Sequence, residues 1–211
     1  MYTINKSYFE KIDTEHKAYW LGFIYADGYL YKEKYVRIEL ASKDKKHLEK
    51  FRECLSSNIP IKESIHKESI IRGQSIPEST SNVFTISRKN IVQDLIKLGM
   101  PNKNKSLSDT LPKVPEEFKR HFFRGYFDGD GCICISTKNV ISAHILGRTT
   151  ILKKLISNLP INQKIYKVST TDKVKKAYWF TENDLKFLYE YMYKEATIYL
   201  DRKFEKFKQI C

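Results

Sequence analysis

Glycine, proline and cysteine are all scarce in this 211-residue chain, which has 8, 6 and 4 of them. So little glycine and proline excludes a collagen-like or low-complexity protein. Long apolar runs are also missing, since no stretch approaches the roughly 20 residues of a membrane-spanning helix. The polar start of the chain lacks the apolar segment of a signal peptide. We therefore expect an intracellular protein that needs no membrane.

The few cysteines are Cys54, Cys132, Cys134 and Cys211, and no two of them form a C-x-x-C pair. Together with scattered histidines, this spacing argues against a structural zinc site. Cys132 and Cys134 are two residues apart and would share one face of a strand, as small apolar side chains do. We interpret all four cysteines as reduced thiols.

Acidic residues are few relative to basic ones, with 25 Asp and Glu against 38 Lys and Arg, so the net charge is +13. Folding does not need this excess of positive charge, and the basic side chains repel one another. A polyanionic partner would offset that repulsion, so the charge favours such a partner. The alternative is a lysine-rich protein without such a partner. Hydrophobic residues make up 41% and aromatic residues 13% of the chain. That is enough for one core or two small ones, and it excludes a disordered chain.

An internal repeat is the most informative feature of the sequence. Residues 22–28 read GFIYADG, and residues 125–131 read GYFDGDG. The similarity continues beyond the motif, because an alternating strand and an amphipathic helix follow each copy. Each half is therefore predicted to contain a helix, two strands, a helix, two strands and a helix. The less regular third strands are expected at 65–72 and 162–169.

The repeat defines the expected domains and fold class. We predict an N-terminal half at 1–100, a polar, proline-containing linker at 101–115 and a C-terminal half at 116–211. The predicted fold class is α+β, with two pseudo-twofold-related αββαββα halves that each carry a four-stranded antiparallel sheet. In residues 35–40, Val36, Ile38 and Leu40 are expected to face the core while the residues between them face outward.

Each motif is predicted to close a helix, the first over roughly 15–26 and the second over roughly 116–129. The small residues at helical spacing are Gly22 with Ala26 and Gly125 with Gly129. Each pair lies on one face of its helix, so the two helices could approach nearly backbone to backbone.

The helices end at Asp27-Gly28 and Asp130-Gly131. Glycine is suited to leaving a helix through a left-handed turn, so we expect that conformation at Gly28 and Gly131. Asp27 and Asp130 would then add negative charge to the negative ends of two helix dipoles. If the helices lie side by side, a hard divalent cation between the two carboxylates, most naturally Mg²⁺, would stabilise the arrangement. The alternative is that Asp-Gly is only a turn.

The two motifs resemble those of the LAGLIDADG homing endonucleases. Residues 20–28 match that nine-letter pattern at Gly22, Ile24, Ala26, Asp27 and Gly28, and residues 123–131 match at Gly125, Asp128, Asp130 and Gly131. The departures, which include Tyr25 and Gly129, change side-chain size and leave both acidic residues in place. The order of elements fits the family over nearly the whole chain. The sequence resembles a single-chain, two-motif member of near-minimal length, without room for an intein splicing domain and therefore freestanding or intron-encoded.

The resemblance implies a site-specific endonuclease that makes a staggered double-strand break in a long DNA duplex, the reaction of intron homing. Hydrolysis would depend on Mg²⁺, which Mn²⁺ or Ca²⁺ would replace for binding. Asp27 and Asp130 would hold the metal at the scissile phosphates, with the backbone carbonyls of Ala26 and Gly129 as further ligands. Each Asp would serve one DNA strand. Such an enzyme would act as a monomer without a protein partner, in a bacterial or phage cytoplasm or in an organelle.

Basic residues near the metals would assist catalysis in such an enzyme. Lys43 and Arg148 occupy equivalent turns after the second strand of each half, and Arg88 follows the fourth strand of the first half. The place equivalent to Arg88 in the second half holds Glu182 and Asn183, so the halves differ there. The side chains expected to contact DNA are Tyr29, Tyr31, Lys34, Arg37, Arg72, Lys89, Lys105, Lys138, His144 and Lys167.

Two other functions fit parts of this pattern. One is a relative that keeps the fold without catalysis, such as an intron RNA maturase or a DNA-binding regulator. The other is a basic ribosome- or RNA-associated protein whose repeat only builds a symmetric core, and it predicts binding without metal dependence. Asp27 and Asp130 favour the nuclease, because two anions at helix C-termini are unfavourable unless a metal uses them.

Overall fold

A computed structural model describes residues 2–71, 74–101, 109–136, 141–157, 159, 164–167, 175–179 and 181–209. The first half contains α1 (Glu15–Asp27), β1 (Gly28–Tyr31), β2 (Tyr35–Ala41), α2 (Lys45–Cys54), β3 (Lys62–His66), β4 (Ser69–Ile71), β5 (Gln74–Ile76), β6 (Ser79–Ile86) and α3 (Lys89–Lys97). The second half contains α4 (Lys119–Asp130), β7 (Gly131–Ile135), β8 (Ile141–Gly147), α5 (Thr149–Ile156), β9 (Lys164–Lys167), β10 (Lys175–Trp179), α6 (Glu182–Tyr193) and α7 (Asp201–Lys208).

The two halves repeat one topology, which confirms the predicted α+β class. Each has a four-stranded antiparallel sheet, in the orders β1-β2-β6-β3 and β7-β8-β10-β9. Two elements go beyond the predicted αββαββα order: the β4–β5 hairpin and the additional helix α7. The third strand of the first half occupies 62–66 rather than 65–72, because the β4–β5 hairpin takes up the residues that follow it.

The pattern of alternating residues in β2 predicts its orientation correctly. Val36, Ile38 and Leu40 are buried, while the residues between them are half-buried and lie on the outer face of the sheet. That outer face carries Tyr29 from β1, directly opposite Arg37 of β2. The first sheet therefore has a core side covered by helices and an open side.

Both motif helices lead directly into a strand, which corrects the expected left-handed turns. Gly28 has φ −80° and ψ 159°, and Gly131 has φ −86° and ψ 159°, which are extended conformations. Glycine is needed there for space instead. A Cβ at Gly28 would lie 2.7 Å from the Ile24 carbonyl oxygen, and one at Gly131 would lie 2.4 Å from that of Phe127.

The start of the second motif helix also differs from the prediction. Residues Glu116–Phe118 form a 3-10 turn after Pro115, and the α-helix begins at Lys119. The first motif helix begins as expected, with the Thr14 side chain accepting a hydrogen bond from the backbone N–H of Lys17.

The centre of the molecule is the contact between α1 and α4. A Cβ placed on Gly22 would lie 2.1 Å from the Phe122 carbonyl oxygen, and one on Gly125 would lie 2.0 Å from that of Tyr19. These distances confirm the predicted backbone-to-backbone approach. Every residue of α1 from Ala18 to Ala26 is buried, because this helix packs against α4 on one side and its own sheet on the other.

Candidate metal and nucleic-acid site

The two motif carboxylates lie at neighbouring helix ends. Asp27 is the last residue of α1 and is exposed, and Asp130 is the last residue of α4 and is half-buried. A Cβ placed on Gly129 would lie 2.6 Å from the Cβ of Ala26 and 3.4 Å from the Cβ of Asp27. The C-terminal ends of the two helices therefore touch, and the residue before Asp130 contacts Asp27.

The electrostatics of this point favour a cation. Neither helix has a basic residue in its last turn to offset the negative end of its dipole. The oxygen atoms at the two helix ends include the carboxylates of Asp27 and Asp130 and the carbonyls of Ala26 and Gly129. Hard divalent cations prefer such ligands, so this donor set fits Mg²⁺ or Ca²⁺.

A buried lysine that the motif pattern did not predict lies beside α4. Lys203 of α7 is 5% exposed, and its ammonium donates hydrogen bonds to the carbonyls of Phe127 (2.9 Å), Asp128 (2.6 Å) and Gly131 (2.6 Å). It lies 3.5 Å from the carbonyl of Gly129, one of the predicted metal ligands. Burial lowers the pKa of Lys203 to about 8, although the nearby carboxylates favour its charged form. This ammonium therefore donates to carbonyls at the end of α4, where the last carbonyls of a helix have no partner within the helix.

The sequence does contain a signal for Lys203. Lys203 and Phe207 are four residues apart and share the buried face of α7. A lysine in an apolar stripe is a candidate for a buried, hydrogen-bonded ammonium.

Asp128 links the two helices from inside the core. It is 1% exposed and accepts hydrogen bonds of 2.7 Å from the hydroxyl of Tyr19 on α1, the hydroxyl of Tyr193 and the backbone N–H of Leu200. Burial raises the pKa of Asp128, while Lys203 and these three donors oppose the shift. Asp128 therefore has a structural role in the core. The acids at the ends of the motif helices are Asp27 and Asp130.

His47 extends this network on the other side of Tyr19. Because the Tyr19 hydroxyl donates to Asp128, the Nε2–H of His47 donates to the Tyr19 oxygen, at 2.9 Å. Burial lowers the pKa of His47 to about 3, so the imidazole is neutral at physiological pH.

A buried arginine joins the middle of α4 to the start of α1. Arg124 of α4 is fully buried and pairs with Glu15, the first residue of α1, at 2.6 Å. It also donates to the carbonyls of Met192 and Ile198. This network and the Asp128 network fix α1 against α4, and so fix the distance between the motif carboxylates.

The predicted auxiliary basic residues have other partners or are exposed. Arg148 pairs with Asp109 at 3.1 Å, and Arg88 donates to the carbonyl of Tyr2 at 2.9 Å. Lys43 is exposed in a 3-10 turn, Ser42–Asp44, after β2. Their catalytic role stays a prediction.

The open face of the first sheet carries three of the ten predicted DNA contacts, Tyr29, Tyr31 and Arg37. Tyr29 is exposed, Tyr31 and Arg37 are half-buried, and Tyr31 stacks on Tyr35 with ring centroids 5.2 Å apart. Arg37 pairs with Glu39 at 2.6 Å, which orients its guanidinium along this face. The other predicted contacts in this half that are described are exposed: Lys34 in the β1–β2 turn and Lys89 at the start of α3.

The second sheet gives a different result for His144. The sequence predicts an exposed side chain, but His144 is 8% exposed because its strand, β8, lies between β7 and β10. The structure places it beside Cys132 and Cys134, which the sequence did not bring together with it. Arg72, Lys105 and Lys138 lie outside the described residues, as does the side chain of Lys167.

Comparison with known proteins gives a family match over both halves. A sequence profile described as a LAGLIDADG-like domain matches residues 14–95 and 117–210. A comparison with curated proteins gives no match.

Three solved structures illustrate the likeness in fold. One is the LAGLIDADG homing endonuclease I-GzeII in complex with its DNA target, with a TM-score of 0.62, 13% identity, and 92% of this chain and 88% of that chain covered. Another is I-SmaMI bound to an uncleaved DNA target in the presence of calcium ions (0.57, 15%, 92% and 88%). A third is the N-terminal LAGLIDADG domain of DUF199/WhiA (0.51, 16%, 98% and 93%). Within the described ranges, no helix has the length and apolarity needed to cross a membrane.

Proposed function

The chain belongs to the LAGLIDADG family, and we propose that it is a metal-dependent endonuclease that cuts both strands of a specific DNA duplex. The observation that carries the proposal is the pair of carboxylates, Asp27 and Asp130, at the touching ends of α1 and α4. Two carboxylates at touching helix ends repel each other, and hard divalent cations prefer carboxylate and carbonyl oxygens, which supports a metal between them.

Asp27 and Asp130 would hold Mg²⁺ together with the carbonyls of Ala26 and Gly129. The metal would activate water and relieve charge on the phosphate. The chain's own part is to fix the two carboxylates relative to each other through the α1–α4 contact. Mn²⁺ or Ca²⁺ would occupy the same oxygens for DNA binding.

DNA would lie across the open faces of the two sheets. This proposal is supported by the excess of basic residues and by the tyrosines and Arg37 on the open face of the first sheet. Both half-sites come from one chain, so we propose that the protein acts as a monomer without a protein partner. Arginine reads guanine edges, and many of the lysines would contact only phosphates. An intracellular location is part of this proposal and rests on the sequence.

A cleavage selection on a randomised duplex library, with Mg²⁺ and with chelator, tests the proposal. The parent protein should enrich one long site among cut molecules only when Mg²⁺ is present. Asp27→Asn and Asp130→Asn should abolish double-strand cleavage while retaining binding. Asp13→Asn is the matched control, because it removes an exposed carboxylate just ahead of α1, at the opposite end from Asp27. If either motif variant cuts both strands at the parental rate, the assigned metal site is wrong.

Specific binding without cleavage, as in a maturase or DNA-binding regulator, is the second candidate function. The observation that favours it is that Arg88 and Arg148 are engaged with Tyr2 and Asp109. The same selection separates the two functions. A parent protein that retains one duplex or RNA but leaves it uncut in Mg²⁺ and Mn²⁺ would support binding alone.

A further inference from the structure

Three side chains that ligate metals come together in the C-terminal half, outside the motif carboxylates. Cys132 and Cys134 of β7 and His144 of β8 place their ligand atoms within 4.8 Å of one another. The two sulfur atoms are 3.4 Å apart. Both cysteines are half-buried and form no disulfide among the described residues, and His144 is buried.

Strand pairing explains why these residues meet. Cys132 lies directly opposite His144 in the β7–β8 ladder, and Cys134 follows two residues later on the same face. Side chains opposite each other in an antiparallel pair have Cβ atoms about 5 Å apart. The alternate residues, Ile133 and Ala143, point into the core. The three ligands therefore project from rigid paired strands on the side of the sheet opposite Ile133 and Ala143, which preorganises them.

The distances suit a tetrahedral metal ion. Two sulfur atoms bound at about 2.3 Å to one tetrahedral ion lie about 3.8 Å apart. The observed separation of 3.4 Å is close enough for a small change in side-chain torsions to reach that value. It is much longer than the roughly 2.05 Å of a disulfide bond.

The kind of ligand decides the kind of metal. Two thiolates and an imidazole select soft or borderline ions such as Zn²⁺, whereas Mg²⁺ prefers oxygen. Three protein ligands leave a fourth position for water, as in other Cys₂His zinc sites. Half-buried thiols leave a route from solvent to this position.

We propose that Cys132, Cys134 and His144 form a zinc site that is separate from the oxygen site at Asp27 and Asp130. An ion there would cross-link β7 and β8 at the point where β7 leaves α4. Binding to the folded state alone would stabilise the C-terminal sheet. This site does not depend on the proposed nuclease activity.

Cobalt titration of the reduced, chelator-treated protein tests the site. One equivalent of Co²⁺ should give a thiolate-to-cobalt charge-transfer band in the near ultraviolet and the strong visible bands of a tetrahedral site. One equivalent of Zn²⁺ should remove both and raise the melting temperature. Cys132→Ser, Cys134→Ser and His144→Gln should each weaken Co²⁺ binding by at least about tenfold, as expected for the loss of one ligand.

Cys54→Ser is the matched control, because Cys54 also lies beside a histidine, with its sulfur 3.5 Å from Nδ1 of His16. Within the described ranges, this pair belongs to no group of three metal-ligating side chains. This variant should retain the full spectrum, as should the double variant Asp27→Asn/Asp130→Asn. A missing charge-transfer band overturns the proposal. The proposal is also overturned if the band survives in Cys132→Ser and Cys134→Ser, or if it disappears in Cys54→Ser.

Thiol alkylation followed by peptide mass analysis gives a second test on the parent protein, which needs no variant to fold. Zn²⁺ should slow alkylation of Cys132 and Cys134 by about tenfold or more and leave that of Cys54 unchanged, since only the first two would be bound as thiolates. Equal alkylation rates with and without Zn²⁺ at Cys132 and Cys134 would overturn the zinc site.

Discussion

The close α1–α4 contact predicts that an alanine at Gly125 lowers the free energy of unfolding. Gly125→Ala adds a Cβ that would lie 2.0 Å from the Tyr19 carbonyl oxygen and 2.9 Å from the Phe23 nitrogen. Ordinary van der Waals contact begins at 3.4 Å, so the two helices must separate by about 1.4 Å along that direction. Both obstacles are helix backbone, which cannot rotate away as a side chain can.

Two opposing effects determine how much the free energy of unfolding changes. Overpacking a well-packed core costs about 1–3 kcal/mol, and a backbone obstacle places this case at the upper end. Replacing glycine by alanine within a helix otherwise stabilises it by about 1 kcal/mol. The net expectation is a loss of about 2 kcal/mol in the free energy of unfolding, or about 30-fold in the folding equilibrium.

Guanidinium denaturation followed by circular dichroism measures this loss. Gly22→Ala should behave similarly, because its Cβ would lie 2.1 Å from the Phe122 carbonyl oxygen. The double variant Gly22→Ala/Gly125→Ala should lose less than the sum, since the first separation makes room for the second Cβ. Lys186→Ala, at an exposed position of α6, should stay within about 0.5 kcal/mol of the parent. If Gly125→Ala is as stable as the parent or more stable, the helix backbones do not touch at this point.

Two further predictions concern buried charge. Lowering the pH from 7 to 5 should reduce the free energy of unfolding by about 2 kcal/mol through His47, because the unfolded imidazole gains a proton near pH 6.5 while the folded one, with a pKa of about 3, does not. Denaturation of His47→Gln at both pH values should show a free energy of unfolding that changes less with pH than in the parent. An equal change in the variant and the parent would contradict the role of His47. Arg124→Met should destabilise the protein by about 3–5 kcal/mol, since it leaves Glu15 and two carbonyls without their buried partner. Lys119→Ala, which breaks an exposed pair with Glu116, should cost at most about 1 kcal/mol, and equal losses for the two would refute the reasoning.

Local periodicity carried enough information to predict the main architecture. The alternation of Val36, Ile38 and Leu40 determines which side of β2 faces the core, and burial of one side requires that register. Gly22 and Gly125 likewise predict close helix contact, because only glycine leaves room for a facing backbone. These features depend on neighbours within a few residues and on one repeat.

The features that the sequence did not predict depend on contacts between distant segments. Lys203 reaches the end of α4 from more than 70 residues away, and His144 meets Cys132 only through the pairing of β7 with β8. The histidines are scattered along the chain, but the pairing of β7 with β8 brings His144 beside two cysteines. The conformation of Gly131 was missed for a local reason, since its strand begins at once and the glycine provides space beside Phe127.

The backbone repeat does not make the two motif sites electrostatically equal. Lys203 comes from α7, which has no counterpart among the described elements of the first half. Its ammonium lies among the last carbonyls of α4, where it offsets the negative end of that helix dipole. Asp130 is half-buried beside this charge, while Asp27 is exposed. A cation at the Asp130 side would therefore meet a less negative potential than the bare helix end provides, so the α4 site depends on α7 in a way that its own motif does not reveal.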